Sequence, residues 1–218
     1  MLKLYAQNTN PKHIQQIVRL LEDGGVIVYP TDSVYSLGCH ALRERAVERI
    51  CRIKGINPKE HPLSIVCGSL SEVSRYARVE NNVFRLMKRN LPGPFTFLLP
   101  AVHALPKVFF QHTGKEVGIR MPNNPIVRQI LDALGAPMMT TSLPIQVTSD
   151  KRQVTSNSSH KTYDEACRLN AELAEEEFGA LVDLVVDGGD GVEAESTIVN
   201  CLDDEPTIVR QGVGILEI

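Results

Sequence analysis

The chain of 218 residues contains no tryptophan, and Phe and Tyr bring its aromatic content to only 5%. Stacking on the faces of single-stranded bases, which needs a supply of exposed rings, is therefore poorly provided for. Its five cysteines, at 39, 51, 67, 167 and 201, are odd in number, widely spaced and without a C-x-x-C pair. That pattern argues against a disulfide framework and a Cys-rich zinc site, and reads as reduced thiols. No run approaches the roughly 18 consecutive apolar residues of a membrane span, and the opening MLKLYAQNTNPKH lacks the apolar core of a signal peptide. The expectation is a cytoplasmic protein with no membrane partner. The common catalytic signatures are missing as well: G-x-S-x-G, H-E-x-x-H, G-x-x-x-x-G-K-[ST], and a G-x-G-x-x-G after the first strand. The six histidines have no spacing that places two on one helix face, so no metal-ligating residues are expected.

What is present describes an ordinary globular chain. Apolar residues make up 43% and charged residues 22%, with a mean hydropathy of -0.09, and the length suits a single domain over residues 1–218. The net charge of -3 hides an asymmetry. Residues 1–120 carry 17 Lys or Arg against 9 Asp or Glu, whereas residues 121–218 carry 6 against 17. A polyanionic partner would have to meet the N-terminal half.

Apolar residues at helical spacing mark helices over 14–22, 44–54, 71–76, 82–90, 125–133 and 164–177. Short β-branched runs mark strands at VIVYPT (26–31), LSIVC (63–67), TFLLPA (96–101), VGIRMP (117–122), PMMTTS (137–142) and in three segments after residue 180. TDSVYSLGC (31–39) reads as a loop ending near Gly38, and the polar stretch 145–162 as a lid. Helices alternate with strands to about residue 140, and apolar strands need cover on both faces, so the fold class is α/β: a twisted, open mixed sheet of about seven strands flanked by helices.

Polar residues collect at the ends of these strands, where an open α/β sheet forms its crevice. They are Thr31, Asp32, Ser33 and Tyr35, then Lys54, Thr96, Arg120, Thr140, Thr141, Ser142, Ser196, Thr197 and Arg210. Hydroxyls mixed with Lys and Arg satisfy anionic oxygens, which points to an anion-binding cleft. Each also has a local reading: Thr31 and Ser33 as turn residues, Arg120 in an ion pair.

The order of motifs adds to this. YPTDSVYSLGC (29–39), Lys54 followed by HPLSIVC (61–67), LPGPFTFLLPA (91–101), VGIRMPNNPI (117–126), TTS (140–142), STIVN (196–200) and VRQG (209–212) together resemble the YrdC/YciO family of L-threonylcarbamoyladenylate synthases, most closely its YciO branch. The resemblance spans nearly the whole chain. It implies a YrdC-like fold with a deep basic concavity, formation of threonylcarbamoyl-AMP from ATP, L-threonine and bicarbonate with Mg²⁺ for tRNA modification, and, for some members, binding of double-stranded RNA. Carried over by position, Lys54 and Arg120 take the catalytic places, and Thr31, Tyr35, Thr96 and Arg120 the substrate site, with Pro92, Gly93 and Pro94 at its floor. Lys54, Thr141, Ser142, Ser196 and Arg210 take the nucleotide site. Two departures stand out: the family's K-G-R reads KGIN, with Ile56, or Asn57 after an insertion, at the Arg place, and S-T-S-A-N reads TTSLP, with Pro144 at the Asn place. Ser36 replaces a glycine, and Asn123 stands where His is common. Losing one transition-state donor costs about 100- to 1,000-fold in rate, so a weak or altered synthase is expected. The competing class is a double-stranded RNA-binding or nucleotide-binding protein without turnover, for which Arg45, Arg49 and Arg52 share one helix face.

Overall fold

Asn10 accepts a hydrogen bond from the Lys12 amide and Pro11 supplies a preset φ, so the first helix, α1, begins at once and runs Pro11–Glu22. Its buried stripe is Ile14, Ile17, Val18 and Leu21. The same devices open α5 (Pro125–Leu134), where the Asn124 side chain accepts from Ile126 and Val127 and Gly135 closes the helix at φ 63°. These two helices pack together on one face of the sheet, over Ile27, Tyr29, Val66, Met138 and Val186. The opposite face carries α2 (Glu44–Lys54), α4 (Asn81–Asn90), a 3-10 turn (Lys107–Phe110) and α6 (Ala171–Phe178), whose buried residues share one core with Val28, Leu37, Ile65, Phe97, Ile119 and Val199. Each fully buried aliphatic side chain in these two layers contributes roughly 1.5–3 kcal/mol.

The computed structural model describes residues 1–5, 7, 9–112, 115–144 and 168–218. Its strands are β1 (Leu2–Lys3), β2 (Val26–Tyr29), β3 (Ser36–His40), β4 (Ser64–Val66), β5 (Gly93–Pro100), β6 (Glu116–Met121), β7 (Met138–Ser142), β8 (Leu184–Asp187), β9 (Thr197–Asn200) and β10 (Thr207–Arg210); α3 is the short helix Leu70–Val73. They form one sheet in the order β1-β8-β2-β3-β7-β4-β6-β5-β9-β10. Pairing is parallel for β1/β8, β2/β8, β4/β6 and β5/β9, and antiparallel for β2/β3, β3/β7, β4/β7, β5/β6 and β9/β10. The mixed α/β class is as expected.

Two expectations are corrected. Among the described residues the sheet has ten strands rather than about seven, because β1 is only two residues long and most of β3 lies in the segment read as a loop. In β3 the polar Ser36 and the glycine at 38 suggest a turn, yet the strand is buried and sits centrally between β2 and β7. Gly38 is there for close approach: a Cβ at that position would lie 2.6 Å from the Tyr29 ring. Of the helix expected over 164–177, α6 realises the later part; residues 164–167 and the lid expected over 145–162 lie outside the described residues.

Gly38→Ala is expected to lower stability by about 1–3 kcal/mol through overpacking against Tyr29, read as a lower urea midpoint at unchanged slope. An unchanged midpoint would mean that the Tyr29 ring can give way at no cost.

Candidate functional site

The loop that leaves β2 turns on its own hydroxyls. Thr31 Oγ1 accepts from the Ser33 amide at 3.0 Å and donates to the Val34 carbonyl at 2.9 Å, a side-chain turn that uses up Thr31. Tyr35 is fully buried, and its hydroxyl donates to Gly189 O at 2.6 Å while accepting from the Gly188 amide at 3.1 Å. Burial pushes its phenol up to about 12. Thr31 and Tyr35 therefore brace the loop, and neither lines the cleft.

Arg120, the next-to-last residue of β6, reaches across to the same loop. Its Nη2 donates to Ser33 Oγ at 3.1 Å and approaches Asp32 Oδ1 at 3.5 Å, while Asp32 Oδ2 accepts from the Asn123 amide at 2.7 Å. The guanidinium is buried, and its Nε has no hydrogen-bond partner. Burial raises the Asp32 carboxyl above its ordinary value, outweighing the pull of Arg120 and the Asn123 amide.

Lys54 is the last residue of α2, which Gly55 ends at φ 71°. That cap releases the chain and aims the lysine at β7: Nζ donates to Ser142 Oγ at 3.2 Å and to Leu143 O at 3.0 Å. Burial, then the charges of Arg168 and Arg210, push its amine down to about 8, with Glu195 acting in the opposite sense. On the far side Thr96 Oγ1 and Ser196 Oγ lie 2.9 Å apart, and Arg210 donates through Nε and Nη2 to the Ser196 carbonyl at 3.3 and 2.9 Å. Glu195 bridges Arg168 and Arg210, one oxygen to each. Burial raises its carboxyl, but the two guanidiniums and the Ser142 hydroxyl outweigh this and hold it below the ordinary range.

These groups meet in one cleft of about 150 Å³, lined by Ser33, Val34, Ser64, Thr96, Arg120, Thr140, Thr141, Ser142, Glu195, Ser196, Ile198 and Arg210. Beneath two of these side chains Gly118 permits close packing: a Cβ there would lie 2.2 Å from Ser64 Oγ and 3.0 Å from Thr96. Thr96, Arg120, Thr141, Ser142, Ser196 and Arg210 are brought together as the sequence suggested, with Lys54 bonded to the lining Ser142. Pro92, Gly93 and Pro94 are not on the lining, which of that segment takes only Thr96. Glu195, Ser64, Gly118 and Arg168 are not singled out by the sequence pattern, although Ser64 lies within HPLSIVC, Gly118 within VGIRMPNNPI and Glu195 next to STIVN; Arg168 has no such motif. On the helix face of Arg45, Arg49 and Arg52, Arg45 and Arg52 are exposed, while Arg49 bonds Asp183 and the Leu181 carbonyl.

A sequence model of the family Sua5/YciO/YrdC, described as telomere recombination, matches residues 19–212. The chain belongs to this family. YciO of Escherichia coli K12, described as uncharacterized, is 38% identical over 211 residues, 97% of this chain and 94% of its own. The crystal structure of E. coli YciO superposes with a TM-score of 0.82 at 36% identity, covering 98% of this chain and 96% of that one. The threonylcarbamoyl-AMP synthase of Bacillus subtilis is 32% identical across 94% of this chain but 55% of its own length. Pyrococcus abyssi Sua5, solved with L-threonine, superposes with a TM-score of 0.78 at 25% identity over 97% of this chain and 57% of that one. The chain thus spans about half the length of those two synthases.

The first departure, at KGIN, has a local explanation. Ile56 packs against the core and its amide bonds Cys51 O, the apolar residue that follows a helix-ending glycine. Asn57 spends its side chain on Lys59 and Glu60. Neither gives a donor to the cleft. Among the described residues no helix is long and apolar enough to cross a membrane.

An anion placed beside Lys54 Nζ raises the amine's proton affinity above the value of about 8. Binding of inorganic pyrophosphate is therefore expected to take up a fraction of a proton near pH 8 and to weaken as pH rises beyond it. Calorimetry in buffers of different ionisation enthalpy reads this directly; buffer-independent heats at pH 8 would separate Lys54 from the binding site.

Proposed function

We propose that this chain forms threonylcarbamoyl-AMP from ATP, L-threonine and bicarbonate, as a slow member of the synthase family, in the service of tRNA modification in the cytoplasm. The observation that carries the reading is convergence: Lys54 from α2, Arg120 from β6, Arg210 from β10 and hydroxyls from β5, β7 and the segment leading into β9 meet around one cleft. Two separated cationic ends suit a substrate with a carboxylate at one end and phosphates at the other. Arg120, with Ser33, is the fitting partner for the threonine carboxylate, and Lys54 and Arg210, with Ser142 and Ser196, for the phosphates. The cleft is open on one side, so the adenosine would extend from its mouth while the charged groups sit within.

In this reading the neutral threonine amine adds to the carbon of bicarbonate, the C–OH bond breaks and the hydroxyl leaves as water with a proton from the nitrogen, giving an N-carboxylate, one of whose oxygens attacks the α-phosphorus. A bond forms between that oxygen and phosphorus, the bond from phosphorus to the β-bridging oxygen breaks, and pyrophosphate leaves with the electron pair. The nucleophile is ionised at neutral pH, so alignment and charge stabilisation are required more than a general base. Lys54 and Arg210 would stabilise the leaving pyrophosphate. Among the described residues no three His, Cys, Asp or Glu side chains come together to hold a metal ion. Mg²⁺ would accordingly enter with the triphosphate, which fits its habit of keeping water and phosphate ligands.

The test is release of pyrophosphate from ATP that depends on both threonine and bicarbonate, with identification of the product. Lys54→Ala is expected to reduce this rate by about 100-fold or more. Ile56→Arg and Pro144→Asn are expected to raise it, separately and together. If product is absent from the native chain and from the double variant while ATP still binds, the cleft serves another acceptor or binds nucleotide without turnover.

A further inference from the structure

Among groups that line the cleft, Glu195 has the wrong sign for an anion site, and both of its oxygens are already taken. Oε1 receives Arg168 and Oε2 receives Arg210. The two guanidiniums are unequal. The Arg210 side chain is 41% exposed and also holds the Ser196 carbonyl, whereas that of Arg168 is 10% exposed and its buried Nε has no hydrogen-bond partner. Arg168 does not line the cleft; it stands behind Glu195. Lys54 adds a third cation close enough for Arg168, Arg210 and Glu195 all to alter its proton affinity.

We propose that Glu195 is an internal anion seated where a ligand phosphate would sit, and that a pyrophosphate-bearing ligand replaces it between Arg168 and Arg210. Arg168 then becomes a phosphate contact, and Glu195 the residue that sets how strongly the cleft takes highly charged anions. This deepens the reading of the cleft as a phosphate site and does not depend on threonine being the co-substrate. Three considerations carry it. A phosphate offers more oxygens and more charge than a carboxylate to a pair of planar guanidinium forks, so it competes well for both. Arg168 keeps an unspent buried donor that a carboxylate already shared with Arg210 does not satisfy, and a buried donor without a partner is costly. A carboxylate left about 4 Å from a bound phosphate charge repels it even at the dielectric of water, by an amount worth about fivefold in affinity, so the ligand and Glu195 do not share the place at no cost.

Inorganic pyrophosphate titrated into the full chain and into Glu195→Gln at fixed ionic strength, without ATP, threonine or bicarbonate, is the test. Gln is isosteric and loses the charge, so affinity for pyrophosphate is expected to rise by about fivefold or more, and affinity for orthophosphate, with fewer charges, to rise less. Unchanged or weaker pyrophosphate binding overturns the proposal, because it would make Glu195 a brace that holds Arg210 in its binding position. Should the variant fail to fold, a structure of the native chain with pyrophosphate decides: its oxygens are expected on Arg168 and Arg210, with Glu195 turned away. Glu195 still bridging the two guanidiniums, or no binding of pyrophosphate at millimolar concentration, overturns it. Tighter pyrophosphate binding by Glu195→Gln without any threonine-dependent product would sink the synthase reading and leave this one standing; product formation with indifferent pyrophosphate binding would do the reverse.

Discussion

Burying a guanidinium is costly unless a carboxylate and hydrogen bonds come with it, and this cleft buries two. Arg120 is met by Asp32 and Ser33 from the loop after β2, and Arg168 is met by Glu195 from the segment before β9. Each pair joins parts of the chain far apart in sequence. Asp32 in turn receives the Asn123 amide at the start of the turn into α5, and Glu195 receives Arg210 from the edge strand. The compensating carboxylates thus tie the loop ends into a fixed rim, so the same groups that make burial tolerable also give the cleft its shape. Removing one carboxylate by Ala would strand a buried cation, which is why the isosteric Gln is the informative change at 195.

The sheet supplies the rest. Antiparallel β3 between β2 and β7 brings Ser36 opposite Ser142, and parallel β5/β9 sets Thr96 beside Ile198, two residues on from Ser196, whose hydroxyl meets that of Thr96. Those registers deliver hydroxyls to one side of the sheet without any long loop to position them. Two glycines then permit close packing: Gly38 lets the Tyr29 ring lie against β3, and Gly118 lets the Ser64 and Thr96 side chains close over β6. Tyr29, pushed up to about 12 by burial, holds Thr140 from below at 2.6 Å and remains a neutral hydroxyl at physiological pH.

How much of this the sequence discloses depends on whether the signal is local. α1, α2 and α5 are legible because a buried stripe recurs at helical spacing and each is closed by a glycine or opened by Asn and Pro. β3 is not, because a strand buried on both sides with Ser and Gly in it lacks the alternation that a half-exposed strand would have. At the cleft, Lys54, Arg120, Ser142, Ser196 and Arg210 sit in compact motifs, and the fold brings them together. Thr31 and Tyr35 sit in an equally compact motif, yet their hydroxyls are spent on the loop itself. Type and spacing say that a hydroxyl is present; only the hydrogen-bond geometry says where it goes. Arg168 has no motif at all, and its place depends on how residues near 168 meet Glu195 across the fold.

The isoleucine at 56, one of the two positions where the resemblance implies an arginine, is more than a missing donor. A glycine that ends a helix in the left-handed conformation favours an apolar residue immediately after it, one that folds back on the last turn, and Ile56 does this, packing against the core with its amide on Cys51 O. An arginine there would have to leave that packing to reach the cleft, so Ile56→Arg exchanges some stability at the end of α2 for charge near Lys54. The end of α2 also fixes Lys54, and any loosening of the cap loosens the lysine. The gain from a restored guanidinium is therefore bounded by how well Gly55 alone keeps Lys54 aimed at Ser142 and Leu143. The cation cluster has meanwhile found another member: with Arg168 set behind Glu195, the proposed phosphate end holds three cations even without an arginine after Gly55. Activity that rises little on restoring Arg at 56 but responds strongly to Glu195 would be the behaviour of a clamp whose charge has moved to a different part of the chain.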